Sequence, residues 1–325
     1  MENQFFEQRT DLSQLNNAIA TIREAVGKVI VGQEQMLELM IAGILADGHI
    51  LIEGVPGVAK TLSAKLMAKL IDADFSRIQF TPDLMPSDVL GTSVFNPKEA
   101  SFQFKQGPLF SNIILIDEIN RAPAKTQSAL FEVMEERQVT VDGTTYQMNV
   151  PFMVLATQNP VDQEGTYRLP EAQLDRFLFK IEVGYPTLEE EVIILQNQHQ
   201  ADNRFLLNEV TKILSASDIT QYRETIRSIV VEQKLLEFIA RIVHETRNNP
   251  SLFLGASPRA SLAIVKASKA FAAMRGRDFI TPEDIIEVTP HVLRHRIILT
   301  PEKEMEGITA DELVDRIIKS LEVPR

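Results

Sequence analysis

Eight consecutive residues carry the first chemistry in this chain: Gly54-Val55-Pro56-Gly57-Val58-Ala59-Lys60-Thr61. Glycines let a main chain curl around an anion with no Cβ in the way. Amides at the start of a helix lack partners of their own, and with the helix dipole they favour a bound phosphate. The flanks fit. His49-Ile50-Leu51-Ile52-Glu53 has strand character, and Leu62, Leu66, Met67, Leu70 and Ile71 recur at helical spacing. Strand, glycine-bearing loop, Lys-Thr and helix is the context in which such a loop grips a nucleoside triphosphate. Lys60 is then expected to neutralise β- and γ-phosphate oxygens and the Thr61 hydroxyl to hold Mg²⁺, with Gly54 through Leu62 as the binding set. The last position before the lysine, where the motif has glycine, is Ala59, so a tighter loop is expected.

Two carboxylates come next. Ile113-Ile114-Leu115-Ile116 reads as a strand buried on both faces of a parallel sheet, and it ends in Asp117-Glu118. Such sheets bind ligands at the carboxyl ends of their strands. There Asp117 would serve Mg²⁺ through its water shell and Glu118 would polarise an attacking water. Alone, acids after an apolar strand are an ordinary solvated turn; behind a phosphate loop they gain a role. A second buried run, Phe152 to Thr157, ends in Gln158-Asn159-Pro160. Asn159 is expected at the edge position of Asp117, where its amide could hold the water or the γ-phosphate. Asp175-Arg176 precedes a further strand, Phe177 to Ile181. Arg259 falls in the first turn of a helix opened by Ser257-Pro258, where a cation opposes the helix dipole by a few tenths of a kcal/mol up to about 1. Two readings stand: it faces a bound phosphate, or it is a tolerated exposed cation.

The elements that must position these groups follow from periodicity. Leu12 to Val26 and Gln33 to Ala46 read as amphipathic helices. The bend between them, which includes Val31 and Gly32, could lie against a nucleotide base. Ser76 to Phe80 alternates like a strand, Thr81 to Thr92 is loop-rich, and Phe102 to Lys105 is a short strand near the exposed-looking aromatics Phe95, Phe102 and Phe104. Pro123 to Arg137 is a helix. Val139 to Met148, with Asp142-Gly143 at its turn, is a hairpin that should project from the sheet. Beyond Thr187 the pattern becomes all-helical: Thr187 to Glu190 is a capping box, and helices are expected over 217–229, 233–247, 258–274, 282–293 and 311–321. The change of pattern divides the chain into residues 1–186 and 187–325, and 325 residues suit two domains.

Composition narrows the function. A formal charge of −12 disfavours a general nucleic-acid or anionic-membrane binder. The absence of cysteine removes disulfides, thiol nucleophiles and thiolate metal sites. No apolar run reaches the length of a membrane span, and the N-terminus lacks the pattern of a signal peptide, so a cytoplasmic protein is expected. No Asn-Lys-x-Asp motif supports a GTPase.

Gly54–Thr61, Ile114–Glu118, Asn159, Arg176 and Arg259, in this order, resemble the AAA+ ATPases. More narrowly, Asp117-Glu118-Ile119-Asn120-Arg121-Ala122-Pro123, Ala156 to Pro160 and Leu169 to Phe177 are similar to the MoxR family. Arg168 stands where that family commonly has proline. The resemblance covers nearly the whole chain. It implies an α/β P-loop core, three-layered with a parallel sheet between helices, and a C-terminal all-helical lid. The phosphate loop would be Walker A, Asp117-Glu118 Walker B and Asn159 sensor 1. Arg176 would be an arginine finger acting on a neighbouring subunit, and Arg259 sensor 2, reaching back from the lid. The hairpin at Asp142-Gly143 and the segment from Phe95 to Lys105 resemble the family's two insertions. The resemblance further implies ATP and Mg²⁺, a hexameric ring, a partner with a von Willebrand factor A domain, and clients matured by metal insertion. A metal-chelatase subunit, a DNA-directed motor and a non-hydrolysing nucleotide-gated scaffold are the rival readings.

Overall fold

The computed structural model describes residues 11–55, 57–159, 167–200 and 210–324. Helices α1 (Ser13–Gly27) and α2 (Glu34–Leu45) lead into β1 (His49–Gly54), and α3 (Lys60–Leu70) starts at the lysine of the phosphate loop. Then come β2 (Phe75–Gln79), a short α4 (Pro86–Leu90) and the antiparallel pair β3 (Gly91–Asn96) and β4 (Ser101–Gln106). Strand β5 (Ile113–Asp117) precedes α5 (Ala124–Glu136), which leads to the hairpin β6 (Gln138–Val141) and β7 (Thr144–Gln147). Strand β8 (Met153–Gln158), the one-turn α6 (Glu171–Leu174) and β9 (Phe177–Val183) complete the α/β part.

The main sheet has the order β2-β5-β8-β1-β9, and every pair in it is parallel. Parallel strands need covered faces. Accordingly all five residues of β5 are buried, with apolar clusters on both sides of the sheet. Because β8 lies between β1 and β5, the ends of all three strands meet at one edge. The phosphate loop, the two acids and Thr157 therefore converge there. Both hairpins are separate two-stranded sheets, as the alternation at 139–148 predicts.

After β9 come α7 (Leu188–Gln200), α8 (Ala216–Arg227), α9 (Gln233–Asn248), β10 (Leu252–Leu254), α10 (Pro258–Met274) and α11 (Pro282–Leu293). β11 (Ile298–Leu299), α12 (Pro301–Met305) and α13 (Ala310–Ser320) end the described chain. The capping box at α7 forms as expected: the Glu190 carboxylate accepts from the Thr187 N–H at 2.8 Å, and the Thr187 hydroxyl accepts from the Glu190 N–H at 3.3 Å.

Two expectations need correction. The lid is helical but not purely so, since β10 and β11 pair as a small antiparallel ribbon. Thr81 to Thr92 is also more ordered than its prolines suggested, holding α4 and the start of β3. One continuous apolar cluster joins α1, α2 and α3 to the helices after β9, with the alanine-rich α10 packed at its centre. Among the described residues, no helix is long and apolar enough to cross a membrane.

Candidate active site

The phosphate loop is built by its sequence in the way the motif requires. A Cβ at Gly54 would lie 2.6 Å from the Val183 carbonyl, so only glycine lets β1 end beside β9. Gly57 and Ala59 both hold left-handed backbone, φ +88° and +58°. At Ala59 this costs about 1–2 kcal/mol, which explains the motif's glycine there. Pro56 lies outside the described residues. Val58 is buried, while Val55 and Leu62 are packed against the core at its rim. Lys60 donates to the Gly54 carbonyl at 2.7 Å, bridging the loop. Burial pulls its ammonium below the ordinary lysine value, with Asp117 and Glu118 opposing. Lys60 thus senses both acids across the gap in which a phosphate would lie.

Asp117 accepts from Arg77 Nε at 2.6 Å, and its other oxygen accepts from the Thr157 hydroxyl at 3.3 Å. Glu118 holds left-handed backbone (φ +58°), and its N–H donates to Thr157 Oγ1 at 3.1 Å. The Glu118 carboxylate meets Gln79 Nε2 at 2.7 Å and Arg121 Nε at 3.1 Å. Strained backbone at an acid beside a phosphate loop is where functional strain is commonly stored. Thr61 and Asp117 offer a hydroxyl and a carboxylate, the hard oxygen donors that Mg²⁺ accepts alongside phosphate and water.

Three of these partners, Gln79, Arg77 and Thr157, were invisible to sequence reasoning, because strand register places them. Gln79 pairs with Asp117 and Ile116 with Ala156, which puts Thr157 level with Asp117. Asn159 therefore lies two residues beyond the edge position expected for it. The bend at Val31 and Gly32 is also present. Gly32 (φ +75°) has the Glu190 carboxylate, from the first turn of α7, where a Cβ would stand.

The two arginines lie elsewhere. Arg176 donates through Nη1 to the Phe131 carbonyl at 2.8 Å and pairs with Glu135 at 3.3 Å. Arg259 pairs with the other oxygen of Glu135 at 3.1 Å. With Asp47 and Gly48, which precede β1, both line a cavity of about 260 Å³. Lys60 follows β1, and a six-residue strand spans roughly 20 Å. Arg259, expected to reach back from the lid, faces the edge of the sheet opposite Lys60. Its unfavourable place in the first turn of α10 is balanced by the Glu135 carboxylate rather than by a phosphate of the same chain. Asp175 fastens this edge to the lid, accepting from Arg296 Nε at 2.7 Å and from Ser257 Oγ at 2.9 Å.

A parallel sheet in this strand order, with a Lys-Thr phosphate loop on one strand and Asp-Glu on another, defines a P-loop nucleoside-triphosphatase core of the AAA+ kind. Comparisons with known proteins agree. The model of the ATPase family associated with various cellular activities matches residues 49–179, and the AAA lid domain model matches residues 244–317. The chain is 46% identical to the Bacillus subtilis protein YeaC over 93% of both chains. It is 45% identical to Chaperone MoxR1 of Mycobacterium tuberculosis, over 92% of this chain and 81% of that one. A crystal structure from Cytophaga hutchinsonii, proposed to be an ATPase, is 44% identical and superposes with a TM-score of 0.88 over 96% of this chain and 97% of its own. The chain belongs to the MoxR family of AAA+ ATPases.

Proposed function

We propose that this protein hydrolyses ATP with Mg²⁺ in a ring of identical copies and uses the cycle to remodel protein partners, as a chaperone. The observation that carries the proposal is the separation of the arginines from the phosphate loop. Each copy holds Lys60, Asp117 and Glu118 at one edge of its sheet and Arg176 and Arg259 at the other. A site that needs both sets is completed by the next copy, and a head-to-tail interface that closes makes a ring. A hexamer is the family's form.

In such a site Mg²⁺, held by Thr61 and Asp117, would neutralise charge on the phosphates. Lys60 and the amides that begin α3 bind the β- and γ-phosphates. Glu118 takes the proton of the attacking water, and Asn159 orients that water. Arg176 and Arg259 of the neighbouring copy meet the charge that develops on the transferred group, where an arginine finger is worth roughly 10³–10⁵ in rate. Val31 and Gly32 bound the base. Residues 1–186 act as the nucleotide-binding part and 187–325 as the lid, whose contact through Glu190 lets it respond to the bound nucleotide. The family resemblance supplies the expected partner with a von Willebrand factor A domain, the metal-insertion clients and the cytoplasmic location. Glu118→Gln is expected to bind ATP as the parent does and to lose turnover; wild-type hydrolysis by that variant would remove the base assignment.

A further inference from the structure

Rests on the reading above, but goes beyond it: we infer that Glu135 is a positioning residue that presents Arg176 and Arg259 as a pair to the neighbouring copy's nucleotide, and that α5 links this pair to the copy's own acids. The carboxylate divides its oxygens between the two guanidiniums, Oε1 to Arg259 Nη2 at 3.1 Å and Oε2 to Arg176 Nη1 at 3.3 Å. Each contact uses one terminal nitrogen. A guanidinium has five N–H donors in a fixed fork. Arg176 uses Nη1 for Glu135 and the Phe131 carbonyl and buries Nε, which leaves Nη2 for a phosphoryl oxygen, while Arg259 meets Glu135 through Nη2 alone. Two cations brought together repel; a shared carboxylate lets them stand side by side before an anion arrives.

The second half of the inference comes from the helix itself. Helix α5 begins three residues after Arg121, the partner of Glu118, and Glu135 is its penultimate residue. Thirteen residues span about 20 Å, so the helix runs from one edge of the sheet to the other. Its start is tied to the acids by Gln127, whose side chain donates to the Ile119 carbonyl at 3.1 Å. Its far end offers two groups to Arg176, the Phe131 carbonyl and Glu135. A displacement of the segment from Glu118 to Arg121 on nucleotide binding is therefore carried to the arginines that serve the next site.

The test uses the full chain. Glu135→Gln keeps the side chain's size at a partly exposed position and removes its charge. Its ATP turnover is expected to fall about tenfold, part of the 10³–10⁵ that an arginine finger carries, with the subunit's affinity for ATP unchanged. The double variant Glu135→Gln/Arg176→Ala should lose less than the product of the two single losses, because the residues act together. Mixing Glu135→Gln with Glu118→Gln should restore activity, since the second copy lends intact arginines to the first copy's site. A purely structural role in its own subunit would give no such recovery. Wild-type or faster turnover by Glu135→Gln, or no recovery in mixtures where Arg176→Ala with Glu118→Gln does recover, overturns the inference. Wild-type turnover by Arg176→Ala would instead overturn the site reading on which it rests.

Discussion

The two edges of the central sheet differ in what they hold and in how they hold it. At the carboxyl edge an ammonium and two carboxylates sit around an open loop, and strained backbone at Ala59 and Glu118 aims them. At the amino edge two guanidiniums share one carboxylate, and the lid is fastened there through Asp175. In the proposed function the first edge binds a triphosphate and the second stabilises a transferring phosphoryl group, and the six-residue β1 separates them. In the proposed reading it is this geometry, rather than any single residue, that makes the site a property of two copies.

The comparison can be broken most sharply at the arginine edge. Arg176→Ala should cost roughly 10³–10⁵ in turnover while leaving the isolated subunit's affinity for ATP intact, as measured by steady-state hydrolysis and calorimetric titration. Weakened binding in the isolated subunit would mean that Arg176 serves its own nucleotide. Lys60→Ala should show the reverse balance: about 10- to 100-fold weaker binding, from charged hydrogen bonds worth about 1.5–3 kcal/mol.

Acid should separate the edges as well. Burial keeps His49 and His295 neutral, each well below the usual histidine value. It pushes His291 down to about 4. His49 bonds the Met134 carbonyl on α5 and His295 the Phe177 carbonyl at the start of β9, so both belong to the arginine edge. The unfolded chain binds more protons than the folded one below pH about 6.5. Stability is therefore full above that pH and falls as pH drops, by up to roughly 1.4 kcal/mol per unit for each histidine. Denaturant titrations at pH 7.5 and 5.0 should show this fall, and it should shrink in a His295→Gln variant. The smallest effect belongs to the loop: Ala59→Gly relieves a left-handed alanine and should stabilise by at most about 1 kcal/mol while preserving ATP binding, as read by calorimetric melting.

How much of this was legible in the sequence depends on which interaction fixes each residue. The phosphate loop, the buried strands and the long helices were readable because local chemistry and periodicity set them; α10 and α11 fall within the bounds their caps predict. Helices of five residues or fewer, such as α4, α6 and α12, carry too few turns for a helical period to show. Thr157 and Gln79 entered the site through strand register, which no local pattern reveals. Glu135 lies 124 positions from Arg259, so only the fold shows that one carboxylate serves both arginines. For Arg259 likewise the residue was visible in the sequence, but the side of the sheet it faces was not.

The most direct measurement of the central claim is ATP turnover in mixtures of Arg176→Ala and Glu118→Gln proteins under conditions that exchange subunits. Each variant alone is expected to be inactive. Mixed rings should regain activity, because the Arg176→Ala copy keeps its own base while a Glu118→Gln neighbour lends its arginine. Turnover no greater than the sum of the two separate variants at every mixing ratio would contradict a site shared between copies.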